Sequence, residues 1–273
     1  MALPAHKTKH IPSLSYSFFD ATFSLAQCSD GHSNGTALWL GAQCLSVYLA
    51  TVQSRIRRAP SASGHRPRAL ELGSGIGLSA LALRSMGWDI LATDTSHVIY
   101  SVLAPNIGRN GQASSPTEGA IEVRELDWTV PPEQWNWDHP AIIASPTATS
   151  STAVDQPCLS TLRPPFDLII SSDTLYSAEL VQPLLRTLHA ASEQSLVLGR
   201  SPPIYLCIER RDTAVIDRAL DEAQSLWNFV VERIPHRKVL KAMEKGRLLW
   251  TREDWEGVEI WKLALKRDKA VQS

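Results

Sequence analysis

The stretch RALELGSGIGLSALAL, Arg68 to Leu83, decides the fold of this chain. It begins with a short apolar segment, passes through three alternating glycines (Gly73, Gly75 and Gly77) and ends in a run of alanine and leucine typical of a helix. A strand, a glycine turn and a helix in this order present backbone N–H groups and a helix N-terminus to a nucleotide-like ligand. Glycines permit the tight turn and the close approach of that ligand, because they carry no Cβ.

The spacing of the glycines separates two classes of nucleotide-binding protein. The dinucleotide fingerprint G-x-G-x-x-G would require a glycine where this chain has Leu78, which disfavours a dehydrogenase. The chain instead reads E-x-G-x-G-x-G from Glu71. About twenty residues after the glycines, a predicted strand ends in Asp94, where an acid can accept hydrogen bonds from both ribose hydroxyls. The alternative role for Asp94 is to cap the helix expected to begin near Ser96.

The rest of the chain alternates strands with helices, which predicts a doubly wound, mostly parallel α/β sheet with helices on both faces. Apolar residues spaced by three and four predict helices from Thr36, from Ser177 to Ala191 and from Thr213 to Leu226. The expected strands are Ala69–Leu72, Trp88–Asp94, Ile121–Leu126, Phe166–Ser172 and Pro203–Ile208, followed by an antiparallel closing pair, Phe229–Val231 and Val258–Leu263.

Two segments interrupt this alternation. Aromatic and small polar residues alternate from Ile11 to Cys28, which predicts an irregular strand or hairpin in an N-terminal extension, 1–33. The second segment is a long insertion, Thr129–Pro165, rich in proline, serine, threonine and alanine. Its middle, Ala144–Ser151, is expected to be disordered because it has little to bury. We therefore expect a single domain, 1–273, that carries this extension and this insertion.

Bulk composition disfavours several classes of protein. The formal net charge is −1 over 273 residues, so no global field attracts nucleic acid or acidic membrane. The four cysteines are widely spaced without a C-x-x-C pair and the eight histidines are scattered, so we expect neither a metal nor a disulfide. No apolar run approaches the roughly 18–20 residues of a membrane span, and the N-terminus has no signal-peptide core. These features predict a soluble monomer of the cytoplasm, and also of the nucleus.

Four separated stretches together resemble one family. They are NGTALWLGAQCLSVYL (Asn34–Leu49), ELGSGIGL (Glu71–Leu78), ELDW (Glu125–Trp128) and SDTLY (Ser172–Tyr176). With the closing VEIWKL they are similar to the family-16 class I (seven-β-strand) S-adenosylmethionine-dependent protein-lysine methyltransferases. The glycine motif alone indicates a class I methyltransferase, and the D-x-x-Y motif with the preceding W…LSxYL helix is more specific. The resemblance implies a seven-stranded Rossmann-like sheet, S-adenosyl-L-methionine as cofactor and a protein lysine side chain as substrate.

The resemblance also assigns cofactor-binding residues. Trp39 would lie against the cofactor, and Glu71 opens the glycine motif that belongs to the same set. The loop of Gly73, Ser74 and Gly75 would pass beneath the methionine and ribose parts of the cofactor. Asp94 would hold the ribose hydroxyls. The alternative for Trp39 is a plain core aromatic, since tryptophan is largely buried on average.

A second group of residues is assigned to the adenine and to the reacting end. Trp128, directly after Asp127, would flank the adenine, with core packing as its alternative. Ser172 would supply a backbone contact near the sulfonium. Asp173 and Tyr176 match the ends of D-x-x-Y, which in this family borders the lysine channel, and their alternatives are a helix N-cap and a packed aromatic.

Methyl transfer to lysine makes a limited set of demands on these residues. The amine must be held at roughly 3–3.5 Å from the methyl group, and most of the acceleration can come from that positioning. A free lysine, with a pKa of ~10.4, is almost fully charged at pH 7, so the channel must favour its neutral form. We expect Asp173 and Tyr176 to orient the amine and to help its proton leave.

Two other functions remain open. The first is a small-molecule N-methyltransferase of the nicotinamide type, which an enclosing lid would favour over an open groove beside Tyr176. The second is a non-catalytic docking module on a methyltransferase fold, against which the intact glycines, Asp94 and the D-x-x-Y motif argue. A nucleic-acid methyltransferase is disfavoured by the near-zero net charge and by the absence of a basic aromatic stretch.

Overall fold

The computed structural model describes residues 2–28, 34–56, 66–111, 117–147, 162–246, 248 and 250–266. The strands are β1 Ser13–Phe18, β2 Ala21–Ala26, β3 Arg68–Leu72, β4 Asp89–Asp94, β5 Ile121–Leu126, β6 Ile142–Ala144, β7 Leu168–Ser172, β8 Ile204–Glu209, β9 Phe229–Arg233 and β10 Val258–Leu265. The helices are α1 Leu40–Ile56, α2 Leu78–Ser85, α3 Ser96–Val98, α4 Ala104–Arg109, α5 Ala178–Gln194, α6 Thr213–Ser225 and α7 His236–Lys245. A π-helical segment, Ile99–Leu103, joins α3 to α4. Short 3-10 helices are Ala5–Lys7, Asn34–Thr36, Pro132–Gln134 and Arg252–Trp255.

One large sheet dominates the molecule, with its strands in the order β6-β5-β4-β3-β7-β8-β10-β9. The first six strands in this order, from β6 across to β8, pair in parallel with their neighbours. Strand β10 is antiparallel to both β8 and β9. The predicted α/β class, the mostly parallel sheet and the antiparallel closing pair are therefore confirmed. The sheet of the described residues has eight strands instead of the expected seven, because the short β6 adds to β5 at the edge.

The sheet separates two hydrophobic cores, as a parallel sheet covered on both faces requires. In β3, Ala69 packs into the core that contains α1 and α2, whereas Leu70 and Leu72 pack into the core that contains α5 and α6. Side chains alternate along a strand, so Glu71 points to the same side as Ala69. The turn after β3 therefore emerges between two packed layers, which fixes the position of the glycine loop.

The N-terminal extension packs against the main domain. Strands β1 and β2 form the predicted hairpin, and Tyr16, Phe18 and Leu25 are buried in the core shared with α1 and α2. The Asn106 amide in α4 bonds both backbone groups of Ala26: its Oδ1 accepts from the Ala26 N–H at 2.8 Å and its Nδ2 donates to the Ala26 carbonyl at 2.9 Å. These contacts join the hairpin to the helix that follows β4.

The insertion after Trp128 is ordered in its described part. Ile142–Ala144 forms β6, so the expectation of disorder beginning at Ala144 is wrong, and positions 148–151 of that expectation lie outside the described residues. Pairing with β5 compensates for the small hydrophobic content of this segment. Trp135 and Trp137 stack edge to face, and Trp137 packs in the same way on Phe166.

Helix α7 was not among the elements expected from the sequence. Its buried residues are Val239, Ala242 and Met243, a narrow apolar stripe in a segment that is otherwise charged. None of the described helices is long and apolar enough to cross a membrane.

Candidate functional site

A cavity of about 220 Å³ opens where β3, β4, β5 and β7 end. The carboxyl edge of an open parallel sheet is the usual place for a ligand, because the connecting loops diverge there. Ten of the eleven residues assigned from the sequence line this cavity: Trp39, Gly73, Ser74, Gly75, Asp94, Asp127, Trp128, Ser172, Asp173 and Tyr176. Residues up to 137 positions apart in the sequence thus meet at one site.

The glycine loop needs its glycines for two physical reasons. Gly73 and Gly75 have φ angles of +71° and +52°, which L side chains rarely adopt. A Cβ on Gly73 would lie 2.7 Å from the Thr174 side chain and 3.3 Å from the Trp128 ring. The backbone of the loop therefore runs directly along the cavity wall. The hydroxyl of Ser74 is buried at the loop and favours the charged form of the Glu71 carboxyl beneath it.

Asp94 is fixed at the end of β4 by two backbone N–H groups. Gly75 donates to its Oδ2 at 2.9 Å and Thr95 donates to its Oδ1 at 2.8 Å. Burial raises the pKa of Asp94 to about 6, and the two N–H donors oppose that rise. Each oxygen keeps a lone pair for a further donor, so the carboxylate can bind two hydroxyl groups of a ligand. The alternative role as the cap of the helix near Ser96 is wrong, because the N-cap residue of α3 is Thr95 and no side chain caps that helix.

Glu71 is the one assigned residue that lies outside the cavity lining. It is 1% exposed and points from β3 into the core beneath the glycine loop. Burial raises the pKa of its carboxyl to about 8, an effect that Ser74 and Ser79 oppose most among its neighbours. The assignment of Glu71 to direct cofactor contact is therefore corrected: its contacts are with the chain that forms the loop.

Asp127 and Trp128 lie opposite the glycine loop. The Asp127 carboxylate accepts from the N–H and the hydroxyl of Thr129, at 2.8 and 2.6 Å, and so closes the turn after β5. Arg186 of α5 donates to the Trp128 carbonyl at 2.8 Å. The indole Nε1 of Trp128 is buried without a hydrogen-bond partner among the described residues, which leaves one donor on a wall of the cavity.

A second cavity of about 250 Å³ adjoins the first, and Trp39, Asp173 and Tyr176 line both. Its remaining walls are two apolar side chains, Leu175 and Ile208, and three charged residues at and just after the end of β8, namely Glu209, Arg211 and Asp212. The Tyr176 side chain is 54% exposed, so the junction of the two cavities is open to solvent. Burial and then the Asp94 charge raise the pKa of its hydroxyl above the ordinary value of 10.

Trp39 lies at this junction under two cations. The Lys9 ammonium lies 4.0 Å, and the Arg211 guanidinium carbon 4.5 Å, from the centre of its ring. Cations favour the face of an indole because the ring quadrupole is negative there. Trp39 is half-buried, lines both cavities and belongs to neither hydrophobic core, so it is not the plain core aromatic considered as its alternative.

Asp173 is anchored by two segments distant in the sequence. Its Oδ2 accepts from the Gly41 N–H at the start of α1 at 2.6 Å, and its Oδ1 accepts from the Glu209 N–H at 3.0 Å. Its φ of +53° is in the left-handed region, which aspartate tolerates better than most residues. Burial raises its pKa to about 6, against the effect of both N–H donors. The alternative of an N-cap on the helix that follows is wrong, because the N-cap residue of α5 is Ser177. Asp173 instead caps α1 from across the fold, by accepting from the Gly41 N–H.

Several residues of the site were not singled out from the sequence. Thr95, Thr129 and Thr174 line the first cavity, and each lies within one or two residues of an assigned aspartate. The sequence feature that could have identified these threonines is their position just after the end of a predicted strand. Ser172 lines the cavity at the end of β7, beside Ser171, whose hydroxyl donates to the Leu72 carbonyl at 2.8 Å.

No group of three or more histidine, cysteine, aspartate or glutamate residues in the described part of the chain could hold a metal ion. Cys28, Cys44 and Cys207 are free thiols, and burial raises the pKa of the last two well above the usual range. Cys158 lies outside the described residues.

Comparison with known proteins supports the family resemblance. Residues 20–145 match the model of a family described as lysine methyltransferase. Methyltransferase-like protein 22 of Homo sapiens is 31% identical over 94 residues, which cover 34% of this chain and 21% of that protein. The Mus musculus protein of the same name is 25% identical over 114 residues, covering 40% of this chain and 27% of its own length. The match confirms the predicted resemblance over residues 20–145, and the chain spans about a quarter of the length of these relatives.

Solved structures with a similar course of the chain carry methyltransferase names. A methyltransferase from Pyrococcus furiosus gives a TM-score of 0.46 at 13% identity, covering 89% of this chain and 90% of that chain. A putative S-adenosylmethionine-dependent methyltransferase from Streptococcus mutans gives a TM-score of 0.47 at 8% identity, covering 93% and 56%.

Proposed function

We propose that this chain is an S-adenosyl-L-methionine-dependent methyltransferase that modifies a lysine side chain of another protein. The observation that carries the proposal is the pair of joined cavities at the carboxyl edge of the sheet. One is formed by the glycine loop and Asp94. The other is reached past Trp39 and Tyr176 and opens to solvent.

The first cavity suits the cofactor. A Cβ on Gly73 would fill space along its wall, and Asp94 presents a carboxylate with free lone pairs for the ribose hydroxyls. Half-buried Trp128 offers an aromatic face for the adenine and one unpaired indole donor. Buried polar atoms are normally satisfied, so an adenine nitrogen that accepts from the Trp128 indole would remove one exception.

The second cavity suits a lysine side chain. Its apolar walls, Leu175 and Ile208, can contact the four-carbon stem, and the indole of Trp39 can face an ammonium or amine. The Asp212 carboxylate attracts a cation to the mouth, whereas the Glu209 carboxylate is paired with the Arg211 guanidinium. An entrance open beside Tyr176 admits a side chain that projects from a folded or extended protein, which favours a protein substrate over nicotinamide.

The chain's residues contribute mainly by positioning the amine. When bound, the cofactor supplies an electrophilic methyl group on a sulfonium. The Tyr176 hydroxyl stays protonated at neutral pH, so it can accept a hydrogen bond from the amine without removing a proton. Both oxygens of Asp173 already accept backbone N–H groups, so this residue fixes the junction of α1, β7 and β8 around the amine. The amine can lose its proton to water through the open entrance.

Calorimetric titration with S-adenosylhomocysteine tests the first half of the proposal. We expect micromolar binding to the wild type, and a loss of about tenfold or more in Asp94→Asn, because the amide replaces a charged acceptor with a weaker one. Thr117→Ala, a surface change away from the cavity, is the matched control. Wild-type protein without measurable affinity would instead favour the docking module.

Identification of the acceptor tests the second half. Extract from cells lacking the protein is incubated with the enzyme and a methyl-labelled cofactor, and labelled proteins are digested and examined by mass spectrometry. Methyl-lysine in protein is the expected product. Label found only in small amines, together with intact cofactor binding, would replace the protein substrate with the nicotinamide-type alternative.

A further inference from the structure

A groove of about 560 Å³ with no assigned role lies at the end of α1 that is away from the candidate site. Its walls are the C-terminal half of α1, helix α7 and the sheet where β8 starts and β10 ends. We call it the basic groove, after its six cationic residues: Arg55, Arg200, Lys238, Lys241, Lys245 and Lys262.

The charge of the basic groove contrasts with that of the whole chain. Six cations face one carboxylate, Glu232, whereas the 273 residues together carry a formal charge of −1. None of the six forms an ion pair with any residue in the described ranges, although eight other lysines and arginines do, among them Arg84, Arg163 and Arg210. Like charges gathered in a concave surface raise the local potential and repel each other, and an anionic ligand would relieve that repulsion.

Helix α7 brings three of these cations into line. Lys238, Lys241 and Lys245 follow each other at intervals of three and four, so they occupy one face of the helix, while Val239 and Met243 are buried on another. All three lysines are exposed. The core thus requires only the apolar stripe of α7, and the lysine row serves no packing purpose.

Apolar surface accompanies the charge. Val52 and Pro203 line the groove, and beside Arg200 the chain makes a tight turn closed by two hydrogen bonds between Val197 and Arg200, of 3.1 and 3.0 Å. Leu198 stands on this turn with a φ of +51° and is 97% exposed. An exposed leucine in a left-handed conformation has no stabilising contact in the described chain, so its surface is available to a partner.

Nucleic acid fits this surface less well than protein does. Tyr48 and Tyr205 form part of the groove, but both are buried in the floor with ring centres 5.9 Å apart, so neither can stack on a base. The exposed Leu198, two residues before Arg200, adds nothing to phosphate binding. We infer that the basic groove binds an acidic segment of a partner protein, one in which carboxylates alternate with apolar side chains. This inference does not depend on the proposed methyltransferase activity.

Fluorescence polarisation on the full chain tests the inference. The probe is a fluorescein-labelled peptide of four Glu-Glu-Leu repeats at low salt, and the rival probe is a single-stranded oligonucleotide of equal charge. We expect the peptide to bind, and its affinity to fall by about tenfold or more in the double variant Lys241→Glu/Lys245→Glu, since two attractions become repulsions. Leu198→Ser is expected to weaken the peptide by about threefold or more and to leave the oligonucleotide unchanged.

Matched controls separate the groove from net charge. Arg218→Glu/Arg252→Glu makes the same change in charge at positions outside the groove lining, and it should bind the peptide like the wild type. Thermal melting of each variant shows whether it is folded. Absence of peptide binding to the wild type would overturn the inference. So would equal losses in both double variants, or tighter binding of the oligonucleotide that only the Lys241→Glu/Lys245→Glu variant abolishes.

Discussion

Replacing Asp173 tests whether this residue organises the site or performs chemistry in it. Asp173→Ala removes the acceptor of two backbone N–H groups, those of Gly41 and Glu209. A buried donor left without a partner costs about 1–3 kcal/mol, and alanine tolerates the φ of +53° less well than aspartate does. We expect the free energy of unfolding to fall by about 3–5 kcal/mol. Asp173→Asn keeps one carbonyl acceptor and should lose only about 1–2 kcal/mol.

Gly41 provides a second, independent measurement of the same contact. A Cβ at Gly41 would lie 2.5 Å from Asp173 Oδ2, so Gly41→Ala must displace the carboxylate and should cost about 2 kcal/mol or more. In the Asp173→Ala background the obstruction is gone, and the same change becomes neutral or slightly stabilising because alanine favours a helix. The two substitutions should therefore be strongly non-additive.

Urea denaturation of the four proteins measures the stabilities, and turnover at saturating substrate measures the chemistry. A positioning role predicts that folded Asp173→Asn retains most of its turnover, at temperatures where it is fully native. Additive effects of Gly41→Ala and Asp173→Ala would refute the cap. A loss of turnover of several hundredfold in a fully folded Asp173→Asn variant would instead give Asp173 the part in proton removal suggested by its place in D-x-x-Y.

Three further predictions concern the cofactor cavity and the core beneath its glycine loop. Because the pKa of Asp94 is about 6, the affinity for S-adenosylhomocysteine should be constant above pH 7 and fall by up to about tenfold per pH unit well below pH 6. Calorimetry across this pH range should show no such fall for the Asp94→Asn variant. Burial raises the pKa of Glu71 from its ordinary value of 4.5 to about 8, so the folded state binds the proton more tightly than the unfolded state does. The free energy of unfolding should drop by about 4–5 kcal/mol between pH 4.5 and pH 8, and urea titrations should show that Glu71→Gln removes this drop. Gly75 has a φ of +52°, so Gly75→Ala should lower the free energy of unfolding in urea by about 1–2 kcal/mol and weaken the binding of the cofactor. Gly108 has open space around it, so the control Gly108→Ala should leave cofactor binding unchanged.

The fold was predictable where a local sequence pattern specifies a single type of element. Short apolar runs followed by glycine or aspartate gave β3, β4 and β7 within one or two residues, because a buried parallel strand must be apolar on both faces. The edge strand β6 could not be predicted, since three residues in a segment rich in serine and threonine carry no periodicity. Its place is set by pairing with β5.

The site was predictable as a set of residues, but their individual contacts were not. Motifs placed Asp173 at a strand end, and only the tertiary structure joins it to Gly41, 132 positions earlier. The same limit applies to Glu71. Its position in the glycine motif suggests contact with the ligand, but the alternation of side chains along β3 points it into the hydrophobic core. The basic groove was hidden for a related reason: its lysines and arginines come from four elements, and the net charge of −1 averages them away.

The two proposals together predict a spacing in the substrate. Helix α1 begins at Leu40 beside the candidate site, and Val52, twelve residues on, lines the basic groove, so the two lie about 18 Å apart along the axis. An extended chain covers about 3.3 Å per residue, so at least about six residues must separate the acceptor lysine from the acidic segment. Because the peptide must also follow the surface of the protein, a separation of about ten residues would span the distance without strain. Peptides with the acceptor lysine twelve residues from an acidic-apolar segment should therefore show a lower KM than peptides with a spacing of three. The advantage should disappear in Lys241→Glu/Lys245→Glu while kcat is unchanged. Equal KM values for both spacings in the wild type would mean that the groove and the site serve different partners.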